Sequence, residues 1–237
     1  MDILQSGALG LLLEGGPFMW PILILAVVGG GVVIERWRAL KLLDVDGSSL
    51  KAKVSDLLAE DKVDDAVSLC ESTKGPVAAI LGNGLRQYFV LRELGYEPTR
   101  TEEQVVKSME NYGAHIVAAL ERHLPILATI ASVAPMLGFL GTVQGMILSF
   151  SSIVETMGEV NIVEAAAGGI KTALLTTCFG LIIGIPAYMF FNYFTAVINR
   201  FVLEVESSAA DLLQTLSLQM TLASQHGSPT TSSRSNT

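Results

Sequence analysis

LPILATIASVAPMLGFLGTVQGMILSFSSIV, residues 124–154, runs for thirty-one residues without a charge. A helix crosses the hydrocarbon core of a bilayer with about 20 apolar residues, so this stretch spans with length to spare. Within it Pro135, Gly138, Thr142, Gly145 and Ser149 recur in steps of three and four, which puts them on one helical face. Small side chains along one face let the backbone of another helix come close, and a hydroxyl there can bond across the contact or line a polar path. A helix surrounded only by lipid needs no such stripe. The stretch is read as a spanning helix packed inside an assembly.

The composition agrees with a membrane protein. Half of the 237 residues are hydrophobic and 16% are charged, against about 25% in an ordinary soluble domain. A net charge of −8 gives no basic footprint for nucleic acid, which is not expected as a partner. Cys70 and Cys178 form no metal-binding pattern. One falls in a polar segment and the other in an apolar one, so no disulfide between them is expected. The first sixteen residues contain no Lys or Arg and lack the basic start of a cleaved signal peptide.

Upstream, residues 3–13 are apolar but too few to span, and they read as a short helix lying at the membrane surface. PFMWPILILAVVGGGVVI, residues 17–34, is an uncharged run of eighteen and forms a first span, stopped by Glu35, Arg36, Arg38 and Lys41. Glu35 and Arg36 read as a stop-transfer and surface pair. The polar segment that follows has helical periodicity and no strand pattern. Its helices break at Gly75-Pro76 and at GYEPTRTEE, where Thr101 is the expected N-cap. From there the chain reads as one helix running into Leu124, with a bend at Pro125.

Downstream, AAAGGIKTALLTTCFGLIIGIPAYMFFNYFTAVIN is a third span, uncharged from Thr172 to Asn199. It carries its own small face, Gly169, Ala173, Thr177, Gly180 and Gly184, with Thr172 and Thr176 beside it. Together with Pro135, Gly138, Gly141 and Gly145, the glycines Gly169, Gly180 and Gly184 are the expected helix-packing positions. RFVLEVESSAADLLQTLSLQM continues the helix into water, and the Ser/Thr-rich end has the composition of a disordered tail.

Charge asymmetry orients the spans. Of fifteen Lys and Arg, twelve lie between residues 36 and 122, two follow the third span, and Lys171 is the remaining one. The positive-inside rule then puts the N-terminus outside and the C-terminus in the cytoplasm. The expected layout is an outer surface helix (1–16), a first transmembrane helix (17–34) and a cytoplasmic helical segment (35–123). A second transmembrane helix (124–154), an outer connection (155–164) and a third transmembrane helix (165–199) follow, then a cytoplasmic helical extension (200–224) and a disordered tail (225–237). The fold class is an all-α membrane protein of three transmembrane helices, with the second and third extended into the cytoplasm as a helical bundle.

No enzyme signature is present: there is no HExxH, P-loop or GxSxG, and the three histidines are scattered. The second span has no Asp or Glu, and the third has none beyond Glu164 at its rim. Proton relays through membranes use a titratable side chain near mid-depth, so a partner must bring that group if ions move here. The chain offers hydroxyls instead: Thr142, Thr172, Thr176 and Thr177. They either line an ion path or bond their own backbone and pack, as threonine in membrane helices does. Gln144 is costly to bury alone and should bond another helix or water. Lys171 either snorkels at the interface or pairs with Glu164, lipid or a partner.

VIERWRAL after the first span, LPILATIASVAPMLGFLGTVQGMI in the second and GIKTALLTTCFGLIIGIPA in the third resemble the ExbB/TolQ proteins, relatives of the flagellar stator protein MotA. The likeness covers roughly residues 10 to 215, and APMLGFLGTVQGM is its specific part. It implies a homopentamer in the bacterial inner membrane around a dimer of a single-span ExbD- or TolR-type partner, whose helix supplies an Asp that takes up protons. It further implies ion-driven work delivered across the periplasm to a TonB- or TolA-like protein. Thr142 and Thr177 match the family's pore-lining threonines. Thr172 stands where its best-known members carry a Glu in the third span. No cofactor and no metal are expected, the transported ion being H⁺ or Na⁺. A different class of function, a membrane scaffold whose glycine faces serve only packing, fits the same stripes.

Overall fold

The computed structural model describes residues 10, 14–41, 47–60, 62–155 and 162–226. Among the described residues run seven helices: α1 Met19–Lys41, α2 Gly47–Ala59, α3 Val63–Ser72, α4 Pro76–Glu93, α5 Pro98–Glu121, α6 Leu124–Glu155 and α7 Ile162–His226. Among the described residues there is no strand. Among those residues three helical stretches are long and apolar enough to cross a membrane: Met19–Lys41, a second within Thr99–Glu155 and a third within Ala166–Thr215. Most of the surface helix expected over 1–16, most of the connection 155–164 and most of the tail 225–237 lie outside the described residues.

Two compact units form, one from residues Met1–Arg38 and Glu121–Ala196, the other from Ala39–Leu120 and Val197–Thr237. The second is a helical bundle with an aliphatic core. Leu50, Val54 and Leu58 recur every four residues on α2 and are buried, as are Val63, Ala66 and Cys70 on α3. They meet Val77, Leu81, Leu85 and Tyr88 of α4, Val105 and Met109 of α5, and Phe201 and Leu212 of α7. Each set follows the spacing of an amphipathic helix, which is why this polar stretch buries a continuous core. Lys51 Nζ reaches from α2 to Ser207 Oγ at 3.2 Å and Asp211 Oδ2 at 3.4 Å on α7.

Helix boundaries here follow proline and glycine. Gly75, at φ +142°, precedes α4, and Pro76 opens that helix, where its missing N–H costs no intrahelical bond. The N-cap expected at Thr101 is not one. α5 starts three residues earlier, at Pro98, and Thr101 is buried with its hydroxyl donating to Glu97 O at 3.1 Å. Proline's fixed φ suits the first helical turn, and it begins the helix ahead of the threonine. The single helix expected to run into Leu124 is also interrupted, since α5 ends at Glu121 and α6 begins at Leu124. Pro125 cannot donate to the carbonyl four residues back and its ring crowds that carbonyl, so the chain turns at Arg122 and His123.

The first unit holds α1, α6 and the first part of α7. Gly29 of α1 faces Ile130 of α6, and Trp37 stacks on Tyr193 of α7 with ring centroids 6.0 Å apart. The closest packing lies between α6 and α7. A Cβ added at Gly138 would lie 3.0 Å from Thr177 Cα, one at Gly145 2.7 Å from Gly169 O, and one at Gly180 2.6 Å from Ala134 O. Gly184 meets the ring of Pro135, and Gly169 meets Ser149 Oγ. Outside this seam the unit is apolar and exposed, with Ile24, Val27, Phe139, Ile147, Ile182 and Met189 each more than half accessible. Exposed apolar surface on that scale belongs in lipid or against further helices.

Gly145→Leu should therefore separate α6 from α7, seen as loss of a monodisperse peak in size-exclusion chromatography of the detergent-solubilised chain. Gly30→Ala, at a glycine with nothing within 4 Å, should leave the profile unchanged. In the bundle, burial foremost, with the nearby Glu71 charge, pushes the Cys70 thiol up to about 11. The reactive thiolate is then scarce near neutrality. Cys70 should resist iodoacetamide at pH 8 in the folded protein and react once the bundle is unfolded, as read by mass spectrometry.

Candidate functional site

The buried face of α6 is Leu127, Ile130, Ala134, Gly138, Gly141, Gly145 and Ser149. It overlaps the small stripe read from the sequence but is turned slightly. Ala134 and Gly141 lie at its centre, and Pro135 and Thr142 lie at its edge. Steps of three and four both fit a helix of 3.6 residues per turn, so a stripe of small residues can be traced by two neighbouring registers. Gly141 wins because the side chain of Thr176 enters the space its missing Cβ leaves, and a Cβ there would sit 2.5 Å from Thr176 Cγ2. On α7, between residues 166 and 187, the buried positions are Ala173, Thr176, Gly180, Gly184 and Ala187.

The four threonines have different surroundings. Thr177 donates across the seam to Gly138 O at 3.0 Å. Thr176 is buried, and its hydroxyl lies 2.6 Å from Thr172 O and 3.1 Å from Gly15 O. Thr172 donates to Glu14 O at 3.0 Å. Thr172 and Thr176 thus hold the short segment before α1, where Gly16 turns the chain at φ +73°. Thr142 alone of the four bonds only within its own helix, to Phe139 O at 2.6 Å. It is half-buried at the edge of the seam. Ser149 adds another link, with its hydroxyl 3.0 Å from Gly145 O and 3.1 Å from Ala166 O.

Two ionic contacts bracket this unit. Lys171 Nζ lies 2.6 Å from Glu14 Oε2, both side chains about half exposed. The side chain of Glu164, the partner considered from the sequence, lies outside the described residues. At the other end of α1, Arg36 is not a surface group: its side chain is 5% exposed and bonded to Glu35. His123 joins that pair from the turn before α6. Nothing in the sequence links residues 87 positions apart, and only the antiparallel run of α1 and α6 brings them together. Among the described residues no three His, Cys, Asp or Glu side chains converge as metal ligands. What the unit offers chemically is a backbone-to-backbone seam with hydroxyls at and beside it.

Comparison with known proteins places this arrangement. Residues 72–207 match the model of the MotA/TolQ/ExbB proton channel family. The biopolymer transport protein ExbB of Pseudomonas putida is 34% identical over 119 residues, 48% of this chain and 36% of that protein. The Tol-Pal system protein TolQ of Pseudomonas aeruginosa is 34% identical over 121 residues, 51% of this chain and 52% of that protein. The biopolymer transport protein ExbB of Aquifex aeolicus is 33% identical over 127 residues, 54% of this chain and 77% of that protein. The chain thus spans about a third and about half of the length of the two Pseudomonas relatives. The family match covers both spans of the seam together with α4 and α5 of the helical bundle, and the chain belongs to the MotA/TolQ/ExbB proton channel family.

Proposed function

We propose that this chain is the channel-forming stator subunit of an ExbB–ExbD-type motor in the bacterial inner membrane. In this reading five copies surround the helices of a single-span partner, which brings the Asp that the spans of this chain lack. Proton flow at their boundary does work across the periplasm on a TonB- or TolA-like protein. The N-terminus is periplasmic and the C-terminus cytoplasmic, supported by the distribution of Lys and Arg.

The observation that carries the reading is Thr142. Its hydroxyl occupies the edge of the α6–α7 seam and is not taken up by another helix of its own chain. A hydroxyl that bonds its own carbonyl keeps its oxygen lone pairs open to water or an ion on the other side. Thr177, one turn of packing away, orients the adjoining backbone through Gly138. Thr172 and Thr176, grouped with these two by sequence, serve the attachment of the N-terminal segment in this reading.

A scaffold without ion flow has one specific observation in its favour: Thr172, Thr176, Thr177 and Ser149 all donate to carbonyls on another segment. Proteoliposomes holding the chain and its single-span partner separate the two. Under a pH gradient, Thr142→Val should reduce partner-dependent proton flux to background while the complex still assembles. Thr177→Val should lose flux and also cost about 1 kcal/mol of helix association. Thr172→Val should retain flux. Wild-type flux in Thr142→Val, or no flux in any form, would leave the scaffold.

A further inference from the structure

Three ionisable side chains meet where α1 ends and α6 begins, and the ion path proposed above uses none of them. Glu35 and Arg36 are consecutive on α1, and His123 is the last residue before α6. Arg36 Nη2 donates to Glu35 Oε1 at 2.8 Å and lies 3.1 Å from His123 Nδ1. The same His123 Nδ1 lies 2.6 Å from Glu35 Oε2. One ring nitrogen is therefore held within hydrogen-bond distance of a guanidinium donor and a carboxylate acceptor together.

An imidazole nitrogen carries either a proton or a lone pair. With a proton on Nδ1, His123 donates to Glu35, and its N–H meets the N–H of Arg36 donor to donor. Without one, Nδ1 accepts from Arg36 and turns its lone pair on the Glu35 carboxylate at a distance where two acceptors repel. No single protonation state satisfies both contacts. Arg36 is anchored throughout, being nearly buried and held by Glu35, so the variable is the nitrogen of His123.

The groups around this nitrogen make the exchange local. From α1 it faces Glu35 and Arg36. In its own turn the exposed Glu121 and Arg122 precede it, and α7 brings Tyr193 to the same end of α1, stacked on Trp37. His123 is itself one-third exposed, so protons reach it from solvent.

We propose that His123 and Glu35 form a proton-binding site at the junction of the first and second spans, whose occupancy exchanges an Arg36–His123 hydrogen bond for a His123–Glu35 one. Before binding, the ring is neutral with its one proton on Nε2; on binding, a second proton goes to Nδ1, the bond from Arg36 Nη2 breaks, and the new N–H is accepted by Glu35 Oε2. Glu35 is then shared between its neighbour on α1 and the start of α6. Histidine is suited to this because a ring nitrogen can either carry a proton or present a lone pair. The site stands independently of the ion-path reading and persists if Thr142 plays no part in transport.

The test uses the full chain in nanodiscs, with His115→Gln and His226→Gln so that His123 is the sole histidine, and ring nitrogens followed by ¹⁵N NMR from alkaline to acidic pH. Nδ1 should pass from acceptor to donor as pH falls. Glu35→Gln should lower the protonated-to-unprotonated ratio at a fixed pH by about three- to tenfold, and Arg36→Met should raise it. A ratio unmoved by either change, or an Nδ1 state constant across the range, would overturn the proposal. A second arm covers variants that fail to fold. His123→Gln presents a donor and an acceptor but does not titrate, so a spin-label distance between positions 38 and 122 should respond to pH in the parent and be pH-independent in this variant. A pH response that survives in His123→Gln would equally overturn it.

Discussion

The structure of the first unit depends on how close two backbones can come. Lipid tails are as apolar as leucine, so burying side chains between helices gains little inside a bilayer. What remains is dispersion at short range and hydrogen bonds across the contact. Both require that Cβ atoms be absent where the helices touch. Gly138, Gly145, Gly169 and Gly180 meet backbone atoms of the facing helix, and Ser149 and Thr177 donate to carbonyls across it. The bundle of the second unit is built by the other rule. It buries leucine, valine, tyrosine and methionine, where water supplies the driving force. One chain thus contains two packing regimes, and each is written in its residue types.

The polar groups of the spans follow from the same constraint. A hydroxyl with no water must find a carbonyl, and nearly every Ser and Thr of α6 and α7 that can be traced does so on its own helix or the next. Charge is confined to the ends. Lys171 meets Glu14 at one end, and Glu35, Arg36 and His123 gather at the other. The middle of the seam is left neutral, with hydroxyls as its polar groups, which is the condition under which a charge supplied by a partner would dominate the local field.

Much of this is legible in the sequence because length and period are. An uncharged run of thirty-one residues is a span whatever surrounds it, and valines and leucines four apart make a buried helical face. The finer errors have physical causes. The stripe read from the sequence shares Gly138, Gly145 and Ser149 with the observed buried face, and differs only in that Ala134 and Gly141 are buried where Pro135 and Thr142 are half-buried, because helical steps of three and four are equally good. Thr101 looks like a cap, yet Pro98 starts the helix before it. Glu14 and His123 could not be assigned partners at all. Each is paired by tertiary proximity over a long separation, and a charged residue beside a span reads the same whether it faces water or a buried guanidinium.

The glycines of the seam also differ in how they can drift. No residue is smaller than glycine, so a substitution can be accommodated only by trimming what stands opposite. Gly141 faces the side chain of Thr176, and a methyl gained on one helix can be offset by a smaller residue on the other. Gly180 faces Ala134 O and Gly138 faces Thr177 Cα, atoms that every amino acid possesses. Across lineages the first kind of position is free to change in concert with its opposite number, whereas the second kind has no compensating partner and can move only if the two helices move apart.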